Sequence, residues 1–238
     1  MPQLNRIVCI MSFILISSKS LPSYADGKEA VIAHVSLYNE EGRCPCYKEG
    51  DKECSTVYNS WSDDFANYLG DKVEAWYSNN SDSRVGRPSN MGVGHSKWAD
   101  SNVDPAGNDN AAPYGVDSFD VAFLYSHGND DNDIGGSKVV MGSPSSGGDC
   151  SLTYGGSDST NQQDVEWGDG DLNYLILYSC LSVDWYQSAA GWYFDESVRE
   201  PDFSMMLGFD GYSIAGSAYY DRFKGFVNGV QWSGLGED

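Results

Sequence analysis

The chain has 238 residues, enough for one domain with a sizeable core. Its 14 Lys and Arg are outnumbered by 35 Asp and Glu, a net charge of −21. Such a surface repels nucleic acid and anionic lipid, which argues against both as partners; it favours solubility and would draw in cationic substrates or calcium.

Residues 1–25 have the form of an export signal. Arg6 gives a weak positive start, residues 7–16 are a short apolar stretch, and Ser23-Tyr24-Ala25 has the small-x-small form of a cleavage site. The apolar stretch is too short to span a bilayer well, and no other segment could span. The expected product is a soluble single domain, residues 26–238, secreted or periplasmic. Removing Arg6 and Lys19 leaves 12 of the 14 basic residues against all 35 acids, a mature charge of −23. Oligomeric state leaves no mark in the sequence, since neither a repeat nor a coiled-coil pattern occurs.

Five cysteines follow the cleavage site: Cys44, Cys46, Cys54, Cys150 and Cys180. Cys44-Pro45-Cys46 is too short to close comfortably on itself. The simplest scheme for an exported chain pairs one of these two with Cys54 and the other with Cys150, leaving Cys180 as the odd thiol. Zinc is the competing reading for Cys44, Cys46 and Cys54, but no second close-spaced ligand pair follows. A thiol redox role for Cys44-Pro45-Cys46 lacks the matching strand–helix context.

In chain order, residues 30–37 form an apolar run expected to be the first strand. Residues 39–54 follow as a pinned loop. Trp61, Phe65, Tyr68 and Leu69 recur at helical spacing, with Gly70 as the expected stop. Residues 73–77 alternate and suggest a second strand; residues 78–118 are rich in turn formers, with one helical turn near 96–101. Residues 120–128 are the next apolar run, residues 129–136 an acidic loop, and 137–142 a short hairpin strand. Residues 143–162 are Gly/Ser-rich and expected to be irregular. A second apolar run covers 172–180, a helix 185–198, a strand 203–209, and a last helix is marked by Tyr219, Phe223, Phe226 and Val227. Alternating strands and helices imply an α/β fold with a largely parallel sheet.

Two of these runs share one design. Residues 120–128 end in Ser126-His127-Gly128, and residues 172–180 end in Ser179-Cys180. Continuous apolar runs suit central strands buried on both faces, and active sites gather at the carboxyl ends of such strands. If the two strands are neighbours, an imidazole and a thiol emerge side by side, the minimum equipment for covalent cysteine catalysis. The backbone N–H groups of Gly128 and Cys180 would then form an oxyanion hole. His34 and His95 have no evident partner and are expected to be structural or solvent-facing.

An apolar block ending in His-Gly, then a second ending in a small residue and Cys, resembles the caspase-like cysteine peptidases, the clan of caspases, legumains, gingipains and clostripain. The resemblance implies a three-layer α/β/α sandwich with a mostly parallel central sheet, Cys180 as nucleophile, His127 as general base and acid, and a peptide or protein substrate cleaved after one specific side chain. A closer similarity, carried by residues 98–104, 116–120, 167–172 and 207–209, is to an uncharacterised family of exported, mainly bacterial proteins with the same dyad. That similarity implies fold rather than activity.

The surroundings Tyr178-Ser179-Cys180-Leu181-Ser182 depart from the caspase pentapeptide, and Arg and Lys are scarce. An acidic pocket for Arg or Lys is therefore the more plausible specificity device, with Asp117, Glu166, Asp169 and Asp184 as candidates for its floor. The chemistry needs no cofactor. Asp130, Asp131 and Asp133 crowd hard oxygen ligands into one loop and make it a candidate calcium site, although EF-hand spacing is absent. Trp185, Tyr186, Trp192 and Tyr193 would suit sugar stacking, but their helical spacing points to packing on the sheet. The alternative to a cysteine endopeptidase is a secreted binding or structural domain that keeps the fold and an idle dyad.

Overall fold

The computed structural model describes residues 28–39, 56–78, 83–110, 115–131, 136–143, 150–154, 165, 167–168, 170–180, 182, 203, 205–209 and 216–229. Its strands, in chain order, are β1 (Glu29–His34), β2 (Leu37–Asn39), β3 (Thr56–Tyr58), β4 (Arg84–Gly86), β5 (Val121–Tyr125), β6 (Gly128–Asp131), β7 (Gly136–Val140), β8 (Ser151–Tyr154), β9 (Tyr174–Tyr178) and β10 (Met205–Leu207). Two helices are described, α1 (Ser60–Tyr77) and α2 (Ser217–Gly229).

Five strands pair in parallel in the spatial order β4-β1-β5-β9-β10. Every residue of β5 is buried, as a central strand covered on both faces must be. Side chains alternate across the sheet. Ala30, Ile32, Val121, Phe123, Tyr125, Ile176 and Tyr178 share one apolar cluster with Phe65, Leu69 and Val73 of α1 and Phe223 and Val227 of α2. Val31, Ala33, Ala122, Leu124, Leu175 and Leu177 face the other way. There they meet Trp98, Val139, Met141, Leu152, Tyr154 and Trp167.

That second face departs from the expected helical layer. Among the described residues it is covered by single 3-10 turns at Asn90–Gly92, His95–Lys97 and Val116–Ser118 and by the antiparallel sheet β6-β7-β8. Residues 129–131 and 151–154 are thus strands where loop was expected; their pairing with β7 supplies what local composition does not. The expected helix at 185–198 lies outside the described residues.

Helix α1 also corrects the sequence reading. Its N-cap is Asn59, whose side chain accepts the Trp61 N–H at 3.2 Å. It runs through Gly70 to Tyr77, so residues 73–77 are helix and not the second strand. Phe65, Leu69, Val73 and Tyr77 recur every four residues and are all buried, which carries the apolar stripe past the glycine. At Gly70 a Cβ would come within 2.5 Å of Arg87 Nε, the far end of a flexible side chain. The second parallel strand is β4, inside the stretch whose turn-forming composition suggested loop.

Taken in chain order, the five parallel strands are arranged 2-1-3-4-5. In this order the winding reverses between β1 and β5, the point at whose carboxyl ends open α/β sheets place their ligand sites.

Candidate active site

Strand register brings the backbone at His127 level with that at Cys180. β5 pairs with β9 so that Tyr125 stands opposite Tyr178. His127 and Cys180 therefore each lie two residues past a paired tyrosine, on adjacent strands. The Ser126 N–H donates to the Tyr178 carbonyl at 3.3 Å and extends the contact one residue beyond the sheet. Below this rim the Tyr125 and Tyr178 rings stack at 4.9 Å, on a floor made by Phe65.

Cys180 is a reduced thiol, partly accessible. His127 is open to solvent on one side, yet desolvation by its surroundings lowers its pKa below the ordinary 6.5. The imidazole is therefore neutral at pH 7 and able to take a proton. Among the described residues no carboxylate contributes to that shift.

Two groups fix the His127-Gly128 segment. The hydroxyl of buried Tyr38 accepts the His127 N–H at 3.1 Å and donates to the Val35 carbonyl. Its ring meets the imidazole edge-on, centroids 4.1 Å apart at 63°. Burial pushes the Tyr38 hydroxyl far above its usual range, so it stays protonated as a donor. On the other side, the Val140 N–H donates to the His127 carbonyl at 2.9 Å while Gly128 stands opposite Val139. In an antiparallel ladder this makes Gly128–Val139 a pair without its own hydrogen bonds and turns the Gly128 N–H away from β7. Gly128 has no room for a side chain: a Cβ would overlap the Cys180 carbonyl oxygen and lie 3.0 Å from Ser179 Cβ.

The Cys180 turn is braced from below. Ser182 Oγ lies 3.1 Å from the Leu177 carbonyl and 3.0 Å from that of Ser179, sharing its proton between them. It accepts the Phe209 N–H at 2.9 Å, and the Tyr154 hydroxyl donates to the Ser182 carbonyl at 3.0 Å. Asn90, at φ 46°, holds the approach to Tyr38: its Oδ1 accepts the N–H groups of Ser36 and Leu37 at 2.8 and 2.9 Å. Tyr38, Asn90, Tyr154 and Ser182 are absent from the sequence-derived site. Their partners lie up to 89 residues away, and only Ser182, beside Cys180 in the chain, carried a local hint.

Asp117 is not part of this site. It lies in the turn before β5, at the amino end of the sheet, so the length of β5, about 17 Å, separates it from the dyad. It is buried, its Oδ2 accepts the Gly168 N–H at 2.7 Å, and its carbonyl accepts the Asp171 N–H at 2.6 Å. It is a structural carboxylate tying the segment before β9 to the segment before β5. Glu166, Asp169 and Asp184 lie outside the described residues.

Asp130 and Asp131 fall within β6, opposite Ser137 and Gly136; Asp133 lies outside the described residues. Among the described residues no group of three or more His, Cys, Asp or Glu is placed to hold a metal ion. Cys150 is buried, and Cys44, Cys46 and Cys54 lie outside the described residues. His34 is not without a partner: its Nε2 lies 2.6 Å from Asp63 Oδ1. His95 is buried rather than solvent-facing, 3.5 Å from Asp104. Among the described residues no helix is long and apolar enough to cross a membrane.

Compared with protein-family models, with curated proteins and with solved structures, the chain gives no match.

Proposed function

We propose that this chain is an exported cysteine hydrolase of the caspase-like type, an endopeptidase working through Cys180 and His127. The observation that carries the reading is the level register of the two residues past Tyr125 and Tyr178. The neutral imidazole and the off-ladder Gly128 N–H agree with it.

In the proposed cycle His127 takes the Sγ proton of Cys180, and the thiolate attacks the substrate carbonyl carbon. The resulting oxyanion accepts hydrogen bonds from the N–H groups of Gly128 and Cys180. The imidazolium then protonates the amide nitrogen, the C–N bond breaks, and the amine leaves behind a thioester. Water, deprotonated by His127, attacks the thioester, and the thiolate departs and regains its proton. The strongly acidic surface favours cationic peptides as substrates. Export of residues 26–238 and two disulfides, one of Cys44 and Cys46 with Cys54 and the other with Cys150, belong to the same proposal; they would leave Cys180 the single free thiol.

The test is cleavage of a mixed-sequence peptide library by residues 26–238, with and without calcium, alongside Cys180→Ala and His127→Ala. Cleavage lost in both variants while their circular dichroism is unchanged supports the dyad and reveals the residue preceding the cut. Cleavage that survives Cys180→Ala overturns it. A folded protein with no cleavage under any condition is instead a binding domain with an idle dyad.

A further inference from the structure

A cavity of about 560 Å³ lies over β4, beneath the His95–Lys97 and Val116–Ser118 turns. It is within the size range of small-molecule sites, roughly 300–1,000 Å³. β4 is three strands from β9, about 14 Å across the sheet, so this is not the Cys180 site.

The cavity combines an apolar floor with a cationic rim. Val31, Trp98, Val116 and Phe119, all buried, form the floor. Arg84, Arg87 and Lys97 line the rim, and no acidic residue lines the cavity. In a chain with 14 basic and 35 acidic residues, three cations line this one cavity, and Glu29, Asp71 and Glu74 stand behind the two arginines.

The two arginines are already partly neutralised. Arg84 Nη2 reaches Glu29 at 2.5 Å and the Ser118 carbonyl at 2.7 Å, with its guanidinium 4.2 Å from the Phe119 ring centre. Arg87 pairs with Asp71 and Glu74, each at 2.9 Å. These contacts engage both guanidinium groups along the cavity wall. Lys97, partly buried, makes no ion pair among the described residues. A lysine that lines an apolar-floored cavity and makes no ion pair among the described residues is the feature that a purely structural cleft does not explain.

We infer that this cavity binds a small organic anion, a carboxylate or phosphate monoester carried on an aromatic-sized apolar body. The anionic head sits at Lys97, with Arg87 beside it, and the body covers Phe119 and Trp98. A charge-assisted contact of this kind gives about tenfold or more in affinity over an uncharged analogue.

The test is calorimetric titration of residues 26–238 with phenylacetate, phenyl phosphate and uncharged 2-phenylethanol at about 150 mM salt, where distant surface charge is screened. The expected result is saturable one-to-one binding of at least one anion, about tenfold tighter than the alcohol. Which anion binds separates the carboxylate from the phosphate source. Lys97→Met should remove that preference without moving the urea unfolding midpoint, and Lys97→Arg should keep it. Absence of saturable anion binding, equal affinity for the alcohol, or undiminished binding by a folded Lys97→Met protein would overturn the inference.

Discussion

Replacing Tyr38 by Phe deletes one oxygen and keeps the ring. The ring's edge-on contact with His127 survives, and so does its place in the core. What is lost is the acceptor for the His127 N–H, 3.1 Å away, the donor to the Val35 carbonyl and a hydrogen bond with the Ser126 side chain. Each neutral hydrogen bond is worth about 0.5–1.5 kcal/mol net, and a stranded buried donor costs about 1–3 kcal/mol. The carbonyl has a second lone pair and suffers less, so the expected loss of stability is about 2 kcal/mol, read by urea unfolding. A domain of ordinary stability, about 5–15 kcal/mol, stays fully folded after such a loss. Any change in Cys180 chemistry then reports positioning and not unfolding. With the His127-Gly128 segment freed, alkylation of Cys180 by iodoacetamide at neutral pH should slow about tenfold, since misplacement by about 1 Å costs that much or more. Wild-type alkylation with reduced stability would make Tyr38 a purely structural residue. No change in either quantity would mean that its hydroxyl does not hold His127 at all.

Gly128→Ala forces a methyl group into the Cys180 carbonyl, so about 1–3 kcal/mol of stability and most Cys180 reactivity should be lost together, measured by unfolding and alkylation. Asp117→Ala should separate the two. Stranding the Gly168 N–H costs about 1–3 kcal/mol, yet Cys180 alkylation stays at the wild-type rate because the carboxylate sits at the opposite end of the sheet. Phe65→Ala removes a fully buried ring in contact with Tyr125, Tyr178, Tyr220 and Phe223, and should lower the unfolding free energy by about 3–5 kcal/mol. His34 and His127 both have folded pKa values lowered by desolvation. Between the unfolded value of 6.5 and the lower folded values the unfolded chain binds more protons, so stability falls as pH drops through that window. Urea midpoints measured from pH 7.5 downward should show this slope, and His34→Gln and His127→Gln should each flatten it.

The residues that announced themselves were those whose surroundings are set by their own strand. β5 and β9 are buried on both faces, so each is written as an unbroken apolar run, and the small residue, His127 and Cys180 follow at its end. α2 is written in its 3.6 periodicity, with Phe223 and Val227 facing the sheet. β4 was illegible because Arg84-Val85-Gly86 is a three-residue edge strand without an apolar run. The far half of α1 was misread because Val73, Ala75 and Tyr77 also alternate, and only packing against the sheet decides between period two and period 3.6. Chain order alone places Asp117 away from His127: in a parallel strand whatever precedes it lies at the end opposite to whatever follows it.

Sequence by itself therefore determined the class of sheet, its two central strands and the chemical pair at their ends, because burial on both faces leaves a local imprint. Tertiary structure alone decided that β5 and β9 are neighbours in a register that levels His127 with Cys180. It also decided that Tyr38 holds the His127 backbone, that Ser182 braces the thiol turn, and that three scarce cations gather over β4. The reason is physical: hydrogen bonds and charge contacts between residues far apart in the chain leave no periodicity in either partner, so they exist only once the chain has closed on itself.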